Sequence, residues 1–151
     1  MNVEGGVLFN NKIIDAVFIA WFIAQGYKVF VALIEQKRID FRKFVSTGGM
    51  PSSHTSSVMA LVTSVGITEG INSINFAIAL VFAVVVMYDA AGVRRSAGQQ
   101  AKVLNRIVAD MVEKDGKKFL EKDLKELLGH TPVEVLVGAA VGMGVAYLVF
   151  L

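Results

Sequence analysis

Hydrophobic and polar positions along this chain are segregated on the scale of whole helices rather than of single turns. An apolar stretch from Ile13 to Ile34 (IIDAVFIAWFIAQGYKVFVALI) leads into a charged loop, EQKRIDFRKFVSTGG. A second stretch, about Ser52 to Ile67, mixes aliphatic residues with Ser and Thr and ends at Thr68-Glu69-Gly70. A third, Ile74 to Ala91 (INFAIALVFAVVVMYDAA), is almost purely apolar until Tyr88-Asp89. The fourth runs from Pro132 to Leu151. Crossing a hydrocarbon core takes about 20 mainly apolar residues. The first, third and fourth stretches are read as membrane helices on that basis, although the β-branched residues of the third would also suit a strand. The second is too polar for a lipid-facing span; it predicts an internal helix, where small and hydroxylated residues allow close approach.

From Gly92 to Leu128 the chain is hydrophilic, and Val103, Leu104, Ile107, Val108, Met111 and Val112 recur at helical spacing, which predicts an amphipathic helix. Lys114 to Lys118 reads as a turn and Leu120 to Leu128 as a short helix. Gly138 and Gly142 form a small-xxx-small pair suited to tight helix packing. The expected fold is all-α: a polytopic membrane helical bundle with about four transmembrane helices plus one or two amphipathic cytoplasmic helices. It forms one membrane-embedded domain over residues 1–151, without internal repeats.

Composition agrees with this pattern. Hydrophobic residues make up 54% of the 151 positions, and the mean hydropathy is +0.58. There is no cysteine, which excludes disulfides, thiolate nucleophiles and zinc–sulfur sites. The N-terminal MNVEGGVLFNN lacks a positive n-region, so the first apolar stretch is not read as a removable signal peptide. Charge matters through its placement. With four crossings, Lys28, the Ser52–His54 run, Asp89 with Arg94 and Arg95, and Gly129 to Pro132 all fall at one membrane face. Nearly every Lys and Arg lies on that side, and only Lys12 on the other, so the positive-inside rule makes that face cytoplasmic.

Two histidines stand among these polar clusters. Gly48-Gly49-Met50-Pro51-Ser52-Ser53-His54 reads as a tight loop opening into a helix with Ser52 or Ser53 near the cap, an end whose free N–H groups suit an anion. His130 and Glu134 are four apart at the start of the last stretch, which predicts that they share a helix face. A carboxylate beside imidazole fixes its tautomer and supports a nucleophile or base, and a second imidazole can act as general acid. Plainer readings stand beside these: His130 and Glu134 as a helix cap, Lys28 snorkelling to the surface, Arg94 and Arg95 as a surface anchor, and Asp89 as a helix-end carboxylate rather than an arginine-orienting group or a divalent-cation ligand.

Pro51-Ser52-Ser53-His54 and His130-x3-Glu134 resemble the histidine motifs of the type 2 phosphatidic acid phosphatase and vanadium haloperoxidase superfamily, Pro-Ser-Gly-His and Ser-Arg-x5-His-x3-Asp. Together GGMPSSHTSSV, MYDAAGVRRSAGQQA and LGHTPVEVLVG resemble its small divergent membrane branch, over Gly48 to Gly138. The superfamily's Lys-x6-Arg-Pro is missing, and Leu124 stands where an arginine precedes the nucleophilic histidine. The resemblance implies hydrolysis of a lipid phosphate through a phosphohistidine. His130 would be the nucleophile, Glu134 its support and His54 the acid. Arg94, Arg95, Lys28 and the N–H groups of Ser52 and Ser53 would hold the phosphate oxygens, with Asp89 orienting an arginine. The scheme requires no metal or other cofactor and no nucleic acid, and self-association is left open. A cytoplasmic site suits phosphatidylglycerol phosphate or another newly made phospholipid. The rival reading is a non-catalytic membrane protein whose degenerate anion site binds lipid headgroups or a partner.

Topology is directly testable, because any introduced cysteine is unique. Arg38→Cys and Lys117→Cys are expected to resist impermeant thiol reagents in intact cells, and Asn72→Cys to react. The reverse pattern would overturn the four-crossing topology.

Overall fold

A computed structural model describes residues 3–37, 48–115, 124, 126 and 129–151. Five α-helices account for most of them: α1 (Lys12–Gln36), α2 (Ser53–Glu69), α3 (Ile74–Tyr88), α4 (Arg94–Asp115) and α5 (Pro132–Phe150). Among the described residues there is no strand. α1, α5 and the helix containing α3 are long and apolar enough to cross a membrane. α2 is shorter, at 17 residues, and it is the helix that α1, α3 and α5 all pack against. Its buried side is half hydroxyl: Ser53, Thr55, Ser56 and Ser64 lie beside Val58, Ala60, Val62 and Val65. This is the internal helix expected from its Ser and Thr content.

Local chemistry sets where the helices begin. Asn11, Ser52, Ser73 and Thr131 each accept a first-turn N–H at an N-cap. Buried Asp15 accepts from Leu8 N–H and Phe9 N–H, both at 3.1 Å, and so folds the preceding residues over the start of α1.

Small residues bring the helices together. Ala16, Ala20, Ala24 and Ala32 form a buried stripe along α1, with Lys28 in the same register, while Phe18, Phe22, Phe30 and Ile34 remain exposed on other sides. The tightest approach is between α2 and α5. A Cβ added to Gly138 would lie 2.6 Å from the Ser52 carbonyl oxygen, and one on Gly142 would lie 2.2 Å from that of Ser56. Glycine's missing side chain is what permits two backbones to touch there.

The third stretch does not stop near Ala91. α3 passes through a π-helical turn, Asp89–Val93, and continues as α4. No proline interrupts it, and a lone glycine such as Gly92 costs a helix only about 1 kcal/mol. The amphipathic helix expected over this region is present, with Val103, Leu104, Ile107 and Met111 exposed. The Asn105 side chain pairs with the Leu124 backbone in both directions, at 2.8 and 2.9 Å. The basic loop over 38–47 and most of the expected turn and short helix over 116–128 lie outside the described residues.

Gly142→Ala is expected to lower stability by about 1–3 kcal/mol, the usual cost of overpacking. Gly144→Ala is the control, since a Cβ there meets nothing within 4 Å. Thermal unfolding in detergent micelles checks the pair, and equal melting temperatures would contradict the close approach.

Candidate active site

The site is built from the turn that starts α5. Gly129, at φ +82°, lies flat on the backbone of Arg94 and Arg95; a Cβ there would fall 2.3 Å from Arg95 N. The next N–H, that of His130, donates to the Ala90 carbonyl at 2.9 Å. Thr131 then caps α5, its Oγ accepting from Glu134 N–H at 3.3 Å, while Glu134 Oε2 accepts from Thr131 N–H at 3.0 Å. This reciprocal pair is a capping box.

The same Oε2 lies 3.1 Å from His130 Nδ1. His130 and Glu134 therefore meet, but not on one face of a helix: His130 precedes the cap, and the turn folds it back onto the third helical residue. An ionised carboxylate only accepts, so Nδ1 carries the proton and Nε2 keeps its lone pair. The residue is 2% exposed, and Nε2 has no hydrogen-bond partner among the described residues. Burial pushes the His130 pKa below the ordinary histidine range; the Glu134 hydrogen bond and charge and the nearby Gly49 backbone oppose that, and the Lys28 charge adds to it.

His54 is the second residue of α2 and lies across a cleft of about 280 Å³ that it lines together with His130, Asp89 and Arg94. Val85, Val86 and Ala90 form its apolar wall. Asp89 Oδ2 pairs with Arg94 Nε, both side chains being partly exposed. Lys28 is 6% exposed, its Nζ unpartnered among the described residues. It does not line the cleft, yet it stands close enough to act electrostatically on His54, His130 and Glu134. Arg95 is exposed and supports Gly129 through its backbone, not the cleft through its side chain.

Ser52 and Ser53 are buried at the start of α2. The Ser52 N–H donates to the Glu134 carbonyl at 3.1 Å, and its hydroxyl takes Thr55 Oγ1–H at 3.0 Å. The expectation that Ser52 N–H faces an anion is thereby corrected: it ties α2 to α5. The N–H groups that the first turn leaves without intrahelical partners are those of Ser53 and His54. The apolar wall and the Ala90 carbonyl went unnoticed in the sequence. Val85 and Val86 stand one turn before Asp89 and Ala90, a spacing that could have revealed the wall; a backbone acceptor leaves no such trace.

Membrane-length helices around a polar internal helix, with two imidazoles at one cleft, define an integral membrane protein with a histidine site. The chain belongs to the divergent PAP2 family, whose model matches residues 9–145, in keeping with the three motifs. It is 44% identical over 133 residues to the uncharacterized membrane protein YuiD of Bacillus subtilis (strain 168), covering 82% of this chain and 84% of that one. No solved structure matches the chain.

With two histidines in the chain, ¹⁵N-histidine spectra resolve each titration. His130 is expected to protonate below the ordinary value of about 6.5. Glu134→Gln removes a charge that favours the imidazolium, so the midpoint should fall further; a rise would contradict the assigned pairing.

Proposed function

We propose that this protein is a membrane phosphatase that hydrolyses a lipid phosphate through a phosphohistidine, with phosphatidylglycerol phosphate or a similar new phospholipid as substrate. The observation that carries this reading is the His130 ring. Its Nδ1 is held by Glu134, its Nε2 is buried and unbonded among the described residues, and it lines the same cleft as His54 and Arg94. In the first step Nε2 attacks phosphorus and the bond to the lipid oxygen breaks. The leaving electron pair takes the proton of His54, giving a lipid alcohol and a phosphohistidine. Water then attacks phosphorus, His54 accepts its proton, and inorganic phosphate departs. Glu134 balances the charge that the ring gains. Arg94 and the first-turn N–H groups of α2 meet the phosphate oxygens, usually the dominant contribution in phosphoryl transfer, and the buried Lys28 adds its charge from outside the cleft lining. The apolar wall suits the lipid part of the substrate. One-sided Lys and Arg support a cytoplasmic site.

A second reading, headgroup binding without catalysis, has one observation in its favour: Leu124 occupies the position of the superfamily's arginine and is exposed. Phosphate release from a set of lipid phosphates by purified protein separates the two. His130→Ala is expected to abolish release and any acid-labile phosphoenzyme. His54→Ala should slow poor leaving groups far more than an activated aryl phosphate. Arg94→Ala should lower turnover about 10²–10³-fold and weaken orthovanadate inhibition with it. Wild-type turnover in the His130 variant would sink the phosphohistidine; a wild type that releases nothing and ignores vanadate would favour headgroup binding.

A further inference from the structure

Asp89 and Arg94 reach the cleft, but the residues between them do more than connect the two. Over Asp89–Val93 the helix widens by one residue, and Arg94 N–H bonds back to the Asp89 carbonyl five positions earlier. In an α-helix, residues five apart project about 140° from each other. The wider turn swings them together, and Asp89 Oδ2 meets Arg94 Nε. Within the same turn the Ala90 carbonyl accepts the backbone N–H of His130, at 2.9 Å. Gly129 closes this seat, resting on Arg94 and Arg95 so tightly that no Cβ fits. A continuous helix has no need of an extra residue here, and such turns occur frequently at functional sites.

We propose that the π-turn Asp89–Val93 is the positioning element of the reaction, seating His130 and orienting Arg94 on one piece of backbone so that nucleophile and phosphate-holding cation keep a fixed separation. This rests on the reading of His130 as nucleophile. The ion pair holds the guanidinium, and the Ala90 carbonyl with the Gly129 contact holds the imidazole. The remaining charged or titratable groups around His130 come from other elements: Lys28 from α1, His54 from α2 and Glu134 from α5. Among the described residues, the π-turn is the segment that contacts His130 through the Ala90 carbonyl and bears Arg94 at its end.

Gly129→Ala tests the seat without altering any side chain in the cleft. Misplacing a reacting group by about 1 Å can cost about 100-fold, so kcat should fall about 100-fold while KM stays within about twofold. Orthovanadate, which needs His130, should lose potency in step with kcat, while inhibition by inorganic phosphate persists. Asp89→Asn, which frees the guanidinium, should instead weaken vanadate and phosphate inhibition together and lower kcat in the direction of Arg94→Ala. A folded Gly129→Ala protein with unchanged kcat, or with vanadate and phosphate inhibition weakened equally, would overturn the proposal. If the wild type releases no phosphate, the nucleophile reading fails separately, and the seat is read from ¹⁵N-histidine spectra. There Gly129→Ala should move the His130 titration toward the ordinary histidine value and leave that of His54 in place; an unmoved His130 would refute the seat. Should Gly129→Ala not fold, deletion of Ala91, which returns the turn to α-helical spacing, is measured by the same criteria.

Discussion

The close approach of α2 and α5 is the constraint on which the rest of the structure depends. Apolar helices gain little from hydrophobic association when their surroundings are equally apolar, so packing and backbone contact carry the association. Here Gly138 and Gly142 let α5 settle against the carbonyls of Ser52 and Ser56, and Ser52 N–H crosses to the Glu134 carbonyl. That cross-helix bond lies two residues before His54 on α2 and at Glu134 itself on α5. One contact thus fixes the start of α2, with His54, against the residue whose carboxylate holds His130.

Around the cleft, charge enters the bundle under different degrees of cover. The alanine stripe of α1 is interrupted once, by Lys28, at the level where its charge reaches both imidazoles and Glu134. A buried ammonium in a membrane protein is expensive and usually faces the protein interior; this one has lost its exposure and has no described partner. Asp89 and Arg94 instead neutralise each other while half open. The site therefore has one basic group enclosed within the protein and another held in place by its counter-ion.

Much of this was legible in the sequence, for identifiable reasons. Helix-scale segregation places α1, α2 and α5 to within two residues, because long apolar runs bounded by Asn, Ser, Thr and Pro leave few alternatives. The internal role of α2 follows from its hydroxyls, and the tight seam from the spacing of Gly138 and Gly142. What escaped was geometry created by backbone. Side-chain periodicity cannot register a π-turn, so α3 and α4 were separated at Gly92 although the helix runs through. His130 and Glu134, four apart, meet through a capping turn rather than along a helix, since Thr131 stops the helix short of His130. Ser52 N–H, suited by position to an anion, is consumed by a carbonyl that only the folded chain brings near. No composition argument could have seen that carbonyl.

The continuous helix from α3 through α4 has a mechanical consequence. Residues 74–115 span roughly 60 Å at 1.5 Å per residue, about twice the thickness of a hydrocarbon core. α3 packs on α2, the cleft wall follows, and the same backbone then runs on through α4. The carbonyl that holds His130 therefore belongs to a single helix shared by the bundle and the amphipathic segment.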